Sequence, residues 1–339
     1  MLNLSKYLLL ATIVLFSLYS QAKTSLTVMS YNIMQLPFQD WDQTTRLQNT
    51  AKTIRQLPVN ADIIVINEAF TNDAYQTLTQ SLGDLYPYAT PIVGQHCSTN
   101  SSSWQSIQGR CSNSPFVIRG GTFILSRYPI LEQHAYIFTH YSKLFEAADY
   151  FSNKGAVLIK IAQNGKSRYI VGTHLQADHK KYVDKAHTVR MQQFDEINSW
   201  LKQFKISPTH PVVFAGDFNV EYNNTPKKHL SMLDHCQCSI NYNYTFNGGS
   251  FSAATNWVAK AGAYYDGYDL NYDDTLDYVA YHQHYQQPIQ YYMEIIKAKA
   301  DTKWYWNYLA GKWNDQLYHD GYYSDISDHY PAIGYFYFY

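Results

Sequence analysis

Short apolar runs that each end in polar residues constrain this chain more than any other feature. Such runs, bounded by turn residues, are typical of buried strands. The polar residues that follow them are Asn32 after residues 26–29, Glu68 after 63–66, His174 after 169–171, and Asp217 with Asn219 after 212–215. Because active sites are usually assembled from polar groups at the ends of strands in a rigid sheet, we predict that these residues share one site.

The last member of this series lies at the end of the chain, in Ser327-Asp328-His329-Tyr330-Pro331. The series as a whole supplies carboxylate, amide and imidazole groups. Carboxylate and amide oxygens are ligands for a hard divalent cation, and imidazole transfers protons near neutral pH. The pattern therefore predicts metal-assisted chemistry at a phosphate group.

Strand-like runs alternate with helical patterns along the chain. The runs cover residues 26–33, 62–69, 121–129, 156–162, 167–175, 211–219, 275–281 and 331–338, and apolar stripes at helical spacing cover 44–57, 71–85 and 188–204. Asn164-Gly165 predicts a hairpin, so the sheet is at least partly antiparallel. We therefore predict one α/β or α+β domain, and the absence of a glycine-rich phosphate loop gives no indication of a nucleotide cofactor.

Residues 1–22 are predicted to be a cleaved signal peptide. Lys6 precedes an apolar stretch over residues 7–19, and Ser20-Gln21-Ala22 has the small-x-small form of a cleavage site. The alternative is a membrane anchor, but the stretch is shorter than the ~20 apolar residues that a spanning helix needs. We expect a secreted, extracellular protein whose residues 23–339 form a single catalytic domain.

The charge of the chain argues against nucleic acid as a partner. It carries 26 Lys and Arg against 27 Asp and Glu, for a net charge of −1. Loss of residues 1–22, which contain Lys6 and no acidic residue, would make the mature chain more negative still. Gripping a phosphate backbone normally requires a basic surface.

Export makes disulfides accessible to the four cysteines. Cys97 and Cys111 bracket a polar loop and form a plausible pair, whereas Cys236 and Cys238 are too close in sequence for an unstrained bridge. All three connectivities stay open. A zinc site is the rival interpretation, and a lone C-x-C gives it weak support.

Five motifs in order along residues 26–339 resemble those of the endonuclease/exonuclease/phosphatase superfamily. They are Val28-Met29-Ser30-Tyr31-Asn32, Asn67-Glu68-Ala69-Phe70, Gly172-Thr173-His174-Leu175-Gln176, Gly216-Asp217-Phe218-Asn219 and Ser327-Asp328-His329. The resemblance implies an α+β fold, a four-layer α/β sandwich around two mostly antiparallel sheets. Within this superfamily, the chain is similar to the secreted bacterial sphingomyelinases C at Gly120-Gly121, Ser152-Asn153-Lys154-Gly155 and Ala177.

That resemblance implies residue roles on the metal side of a phosphodiester. Glu68 would bind Mg²⁺, with Mn²⁺ or Co²⁺ as substitutes, and Asn32 would help to hold the metal or its water. His329 would accept a proton from the attacking water, and Asp328 would orient it. Asp217 would bind the metal or the nucleophilic water.

Other roles lie on the substrate side. His174 would stabilise the transition state or protonate the leaving oxygen, and Asp277 would pair with His174, although Asp273 and Asp274 are close alternatives. Asn219 would donate to a phosphate oxygen. Asn153 and Lys154 would lie near the substrate phosphate, with a solvated turn lysine as the alternative for Lys154.

The sequence departs from the family pattern at two places near the predicted site. Ile118-Arg119 stands where an acidic pair is common before Gly-Gly, so a peripheral metal site that also uses Asn72 is predicted to be absent or altered. His179 stands where an acid is common, which leaves details on the phosphate side open.

Aromatic residues suggest contact with an interface. The chain has 33 Tyr and 7 Trp, and residues 304–313 hold three of these Trp where the family carries an aromatic hairpin. Trp304, Trp306 and Trp313 are therefore membrane-contact candidates. The alternative is that these rings pack in the core.

The leading hypothesis is a secreted Mg²⁺-dependent sphingomyelin phosphodiesterase, a virulence factor that releases ceramide and phosphocholine at a bilayer surface without an obligate protein partner. One alternative is a deoxyribonuclease-like endonuclease, which the net charge disfavours. Another is a membrane-binding lytic module without catalysis, which the full set of polar residues disfavours.

Overall fold

The computed structural model describes residues 24–37, 41–143, 146–179, 182–241, 248–306 and 321–339. The segment interpreted as a signal peptide lies outside these residues. Its cleavage, and the assignment of residues 23–339 to one domain, therefore stay predictions. None of the helices in the described ranges combines the length and apolarity that crossing a bilayer requires.

Strands make up most of the regular structure. The strands are β1 Thr24–Gln35, β2 Ile63–Ala69, β3 Tyr88–Ala89, β4 Ser106–Gly109, β5 Ile118–Arg119, β6 Phe123–Ser126, β7 Ile130–Ile137, β8 Ser152–Asn153, β9 Gly155–Gln163, β10 Lys166–His174, β11 Val212–Asp217, β12 Cys238–Ser239, β13 Phe251–Ser252, β14 Asp273–Asp274, β15 Asp277–His282, β16 Gln290–Ile295, β17 Trp304–Tyr305, β18 Tyr322–Tyr323 and β19 Ala332–Phe338. The α-helices are α1 Gln43–Gln56, α2 Asn72–Leu82, α3 Val183–Leu201, α4 Pro226–Cys236 and α5 Trp257–Asp266. Short 3₁₀ helices cover Thr99–Ser101, Ala148–Phe151 and Lys202–Phe204.

Two large mixed sheets form the centre of the molecule. The first has the strand order β16-β19-β1-β2-β6-β3, and the second has the order β12-β15-β11-β10-β9-β7-β4. In the first sheet only β1 and β2 pair in parallel. In the second, β10 with β11 and β4 with β7 pair in parallel, and the remaining pairs are antiparallel. The prediction of two mostly antiparallel sheets is confirmed.

Apolar side chains fill the space between the sheets and the space beneath the helices on either side. One core cluster joins inner-facing residues of both sheets with residues of α3; it includes Val28, Val65, Val157, Val171, Phe194 and Ile197. A second cluster joins the other face of the first sheet with α1 and α2; it includes Ile64, Ile66, Leu47, Ile54 and Leu78. Alternate residues of each strand therefore face different layers, and the four-layer sandwich is confirmed.

The hairpin between β9 and β10 follows from its two turn residues. Asn164 and Gly165 have φ values of 52° and 76°, and Gln163 pairs with Lys166 in the antiparallel ladder. Positive φ at both central positions defines the tight turn that matches the twist of the two strands. This hairpin places His174 at the far end of β10.

Trp304 and Trp306 lie in the core rather than at an exposed tip. Both rings belong to the cluster beneath the first sheet, and they are 4% and 0% exposed. Trp304 also donates from Nε1 to the carbonyl of Asp325. Of the two interpretations, core packing therefore applies to these two residues. Trp313 lies outside the described residues.

Two disulfides are present in the structure, and each joins cysteines that are consecutive in chain order: Cys97 with Cys111, and Cys236 with Cys238. The first bridge closes the polar loop that precedes β5. This loop lies close to the site described next, because Asn153 of β8 binds the backbone of Ser112, the residue after Cys111.

Candidate active site

Three of the predicted site residues form a single row across the second sheet. His174 at the end of β10 is the ladder partner of Asp217 at the end of β11, and Asp217 is the partner of Asp277 at the start of β15. Neighbouring positions on adjacent strands point to the same face of a sheet. The ladder alone therefore brings these three side chains together.

The first sheet contributes two amides to this row. Asn32 donates from Nδ2 to Asp217 Oδ2 at 3.0 Å, and its own Oδ1 accepts from the backbone N–H of Met34. Asn67 donates from Nδ2 to the carbonyl of Thr173 and accepts at Oδ1 from the backbone N–H of Asp217, each at 3.0 Å. These bonds join the two sheets at the site.

Glu68 enters the site through an unusual backbone conformation. Regular alternation along β2 would place it on the face of Ile64 and Ile66, which pack beneath the first sheet. Its φ of 58° interrupts that alternation, and its Oε1 lies 3.9 Å from His174 Nε2. A non-glycine residue in this region is strained, and such strain is common at functional sites.

His329 is held by Asp277, which corrects one sequence prediction. The Asp277 Oδ2 to His329 Nδ1 distance is 2.6 Å, so the expected pairing of Asp277 with His174 is wrong. The other ring nitrogen, Nε2, lies 3.9 Å from Asp217 Oδ2. Phe251 packs edge-on against the imidazole, with 5.3 Å between the ring centroids, and pairs with His329 through the backbone.

Asp328 occupies a different place from the one expected. Its carboxylate accepts from Ser327 Oγ at 3.3 Å, whereas the ring of His329 is oriented by Asp277. Burial alone would lower the pKa of His329, but the negative charges of Asp277, Asp328 and Asp217 raise this pKa well above its ordinary value. Asp328 therefore acts on His329 through charge rather than as the hydrogen-bonded orienting group.

His174 contacts a buried lysine. Lys154 Nζ lies 3.1 Å from His174 Nε2 and donates to Asp149 Oδ2 at 2.9 Å and to the carbonyl of Leu175 at 3.1 Å. Burial, together with the charges of Lys154 and His329, lowers the pKa of His174 well below its ordinary value. His174 is therefore neutral and accepts a hydrogen bond from the ammonium group of Lys154.

The carboxylates of the site fit a divalent cation. Burial, with the Asp328 charge beside it, raises the pKa of Glu68 to about 7, and burial with Asp277 raises the pKa of Asp217 to about 6. Ligand atoms of Glu68, His174 and Asp217 all lie within 4.8 Å of one another. The positive charge of His329 beside both carboxylates does not offset the effect of burial, and a hard cation would supply the missing charge.

Asn219 and Asn153, both expected near the phosphate, differ in how their side chains are used. Asn219, which is half-buried with a φ of 54°, donates from its side-chain Nδ2 to the carbonyl of Leu175 at 3.3 Å and from its backbone N–H to Asp217 Oδ1 at 2.9 Å. The buried amide of Asn153 binds the backbone of Gly94 and Ser112. A phosphate-binding role stays a prediction for both.

The region predicted to lack a peripheral metal site holds β5, where Ile118 and Arg119 pair with Ser152 and Asn153 of β8. Arg119 lines a groove beside Phe70. His179 is exposed.

The sequence predicted no role for Arg46, which binds the backbone of two segments that carry site residues. Its guanidinium is fully buried and donates to four backbone carbonyls: Ile33, Met34, Trp41 and Ile326. It therefore joins the segment after Asn32 to the segment before Ser327. An arginine beside the apolar stripe of α1 gives no sequence signal of this role. Asn67 did carry one, since it is polar at an inward position of an apolar strand.

Comparison with known proteins agrees with the fold and the site. The model of the endonuclease/exonuclease/phosphatase family matches residues 29–329, a range that includes Asn32, Glu68, His174, Asp217 and His329 among the site residues. The chain belongs to this family.

Within the family the similarity is to bacterial lipid-cleaving enzymes. A sphingomyelinase C of Bacillus cereus is 30% identical over 91% of this chain and 87% of that protein. A sphingomyelinase C of Listeria ivanovii is 26% identical over 95% and 91%. A phospholipase C of Staphylococcus aureus is 29% identical over 92% and 87%. The resemblance to sphingomyelinases C that the motifs indicated is confirmed.

Solved structures give the same result. A variant of the Staphylococcus aureus beta toxin with bound magnesium ions superposes with a TM-score of 0.78 at 28% identity, covering 92% of this chain and 99% of that one. Sphingomyelinase C from Streptomyces griseocarneus superposes with a TM-score of 0.75 at 26% identity, with the same coverage.

Proposed function

We propose that this chain is an exported, Mg²⁺-dependent phosphodiesterase that hydrolyses sphingomyelin at a membrane surface to ceramide and phosphocholine. One observation carries the proposal. Carboxylates, amides and two histidines from both sheets converge around Asp217, which lies 3.7 Å from His174 Nε2 and 3.9 Å from His329 Nε2. The names of the similar sphingomyelinases C support the choice of lipid.

Glu68, with Asp217 and Asn32 beside it, would hold the cation. Mg²⁺, when bound, supplies positive charge that stabilises a phosphoryl oxygen and makes water more acidic. The amide of Asn32 keeps the Asp217 carboxylate in place through its 3.0 Å hydrogen bond. Asn67 holds the backbone of the same residue. Two amides from the first sheet thus fix a carboxylate of the second, which is the preorganisation that a charged transition state requires.

His329 would accept the proton of the water that attacks phosphorus, once the charge of a bound cation offsets the carboxylates that raise the pKa of this imidazole. Its Nδ1 proton is held by Asp277, so Nε2 is the free atom and points towards Asp217. Asp277 fixes the tautomer and stabilises the imidazolium that forms. Phe251 packs against the same ring and restricts its rotation.

Lys154 and His174 act on the opposite, leaving-group side. The ammonium group of Lys154 adds a positive charge that stabilises the phosphoryl oxygens in the transition state. Because His174 Nε2 accepts from Lys154, the leaving ceramide oxygen would take its proton directly from the Lys154 ammonium group, which becomes a neutral amine. Asp149 fixes the lysine in this position.

The test measures phosphocholine release from sphingomyelin vesicles, with Mg²⁺ and with a chelator. We expect release in Mg²⁺ only, and a loss of at least about 10²-fold in His329→Ala. His284→Ala is the matched control, since this exposed histidine follows the opposite end of β15 from Asp277. Wild-type release in the presence of chelator, or an unaffected His329→Ala, would contradict the proposal.

A further inference from the structure

Two exposed phenylalanine side chains lie on one groove. Phe116 is 78% exposed and Phe151 is 40% exposed, and both line a groove of ≈ 420 Å³. Arg110, Tyr141 and Tyr150 line it as well, and we call these five residues together the aromatic groove. An exposed phenylalanine loses the free energy that burial would give it, so two on one groove indicate a surface that is covered in use.

The walls of the aromatic groove are held rigidly. The disulfide between Cys97 and Cys111 closes the loop that leads to Phe116. Asn153 clamps the next turn from both sides, since its Oδ1 accepts from Ser112 N at 3.0 Å and its Nδ2 donates to Ser112 O at 2.9 Å. The groove is thus formed before any partner binds, which reduces the entropy lost on docking.

The aromatic groove is continuous with the candidate active site. A second groove of ≈ 350 Å³ shares Val117 and Asn153 with it and extends to Phe70. The ring of Phe70 lies 6.5 Å from that of His174. Lys154, which follows Asn153 directly, contacts His174. Whatever covers the aromatic groove therefore lies beside the substrate of this site.

The chemistry of the groove fits the headgroup region of a bilayer. The Arg110 guanidinium lies over the Tyr141 ring, 5.1 Å from its centroid, and Arg119 lines the second groove. Cations complement lipid phosphates, and aromatic rings favour the boundary between headgroups and acyl chains. A partner that presents phosphate groups above an apolar layer, next to a lipid-cleaving site, is the membrane itself.

We propose that Phe116 and Phe151 of the aromatic groove insert into the bilayer and dock the active site on its substrate surface. This inference rests on the proposed function, because it takes the site to act on a bilayer lipid. It also assigns the contact to a part of the molecule other than the expected tryptophans, of which Trp304 and Trp306 are buried in the core.

The first test measures binding without hydrolysis. Co-sedimentation with sphingomyelin–phosphatidylcholine vesicles in chelator compares the wild type with Phe116→Ala/Phe151→Ala. We expect the vesicle partition coefficient of the double variant to fall about 10- to 100-fold, as the transfer of two phenyl rings predicts. Leu230→Ala is the matched control, since Leu230 is 64% exposed on α4 and lines neither groove. It should bind within about two-fold of the wild type.

The second test compares rates. With Mg²⁺, the ratio of vesicle hydrolysis to hydrolysis of a water-soluble short-chain sphingomyelin should fall by the same factor in the double variant. Phe116→Trp should show blue-shifted fluorescence on vesicles relative to the wild type. Vesicle binding by the double variant equal to that of the wild type would overturn the inference. The same result is expected if the groove binds a protein instead of a bilayer. Wild-type binding without phosphocholine release would instead overturn the proposed function and leave the docking result standing.

Discussion

At the residue scale, the proposed proton transfer to His329 depends on the hydrogen bond between Asp277 and His329 Nδ1. Asp277→Asn keeps the size of the side chain but offers an amide that can turn a donor towards the ring, which favours the wrong tautomer. We expect kcat to fall about 10²- to 10⁴-fold with little change in KM, because the loss is confined to the transition state. Initial rates of phosphocholine release measure both constants.

Asp273→Asn is the matched control for that variant. Asp273 lies four positions before Asp277 and accepts a hydrogen bond at 2.7 Å from the backbone N–H of Gly249. From the sequence it was an alternative to Asp277. A loss of activity in Asp273→Asn as large as in Asp277→Asn would show that the effect comes from the segment rather than from the His329 partner.

The sequence indicated which residues form the site but not how they pair. His174 and Asp277 were expected to pair, yet β11 lies between their strands, so Asp217 separates them. Strand order depends on long-range packing that no local pattern encodes. The backbone conformation of Glu68 was equally hidden, since a positive φ at a glutamate has no propensity signal.

Asn67 allows a test of how the two sheets are joined. Its amide satisfies the backbone N–H of Asp217 and the carbonyl of Thr173, both buried. Asn67→Ala would leave these groups unpaired, and we expect the free energy of unfolding to fall by about 3 kcal/mol. Urea denaturation measures this quantity. Asn49→Ala, which removes an amide that donates to Thr45 O of its own helix, is the control and should cost less than about 1 kcal/mol.

At the scale of elements, local signals located the elements that carry strong patterns. The helices α1, α2 and α3, the strands β1 and β2, and the β9–β10 hairpin all occur near the predicted residues. β7 was missed because polar residues occupy the middle of its sequence, ILEQHAYI, and interrupt the alternation of apolar and polar residues. β16 was missed for a similar reason, since its tyrosines and Gln290 obscure the alternation.

Two glycines give a paired test of these local signals. Gly165 has a φ of 76° in the β9–β10 turn, and Gly262 lies within α5; a Cβ at either would meet nothing within 4 Å. Gly165→Ala should lower the free energy of unfolding by about 1 kcal/mol, because left-handed backbone is costly for alanine. Gly262→Ala should raise it by about 0.5–1 kcal/mol, because alanine favours the helix. Denaturant unfolding measures both, and equal signs would contradict this account.

At the scale of the whole molecule, the order of the motifs predicted the four-layer architecture. The sequence did not predict which aromatic residues are buried and which are exposed. A Tyr-rich sequence satisfies both an interfacial and a buried position, since these rings combine an apolar body with a polar group. Tertiary packing decided the outcome for Trp304 and Trp306 in favour of the core. Phe116 and Phe151 are among the exposed apolar side chains, and the sequence did not distinguish them from other loop residues.

The stability of the whole molecule should depend on pH through buried neutral histidines. Burial lowers the pKa of His229 to about 4, and burial with the nearby His284 lowers that of His282 from 6.5 to about 4. Between pH 6.5 and 4 the unfolded chain binds protons at these sites and the folded protein does not. The contribution of these two histidines to stability, fully present above pH 6.5, is therefore lost as the pH falls, at up to about 1.4 kcal/mol per pH unit for each proton, whereas the raised pKa values of Glu68 and Asp217 act in the opposite sense over the same range. Urea titrations at several pH values across this range give the free energy of unfolding as a function of pH. Its slope should be less positive for His282→Gln than for the wild type, because the unfolded variant no longer binds a proton at residue 282. His179→Gln, which removes an exposed imidazole, is the control and should keep the wild-type slope; an unchanged slope in His282→Gln would mean that His282 does not contribute.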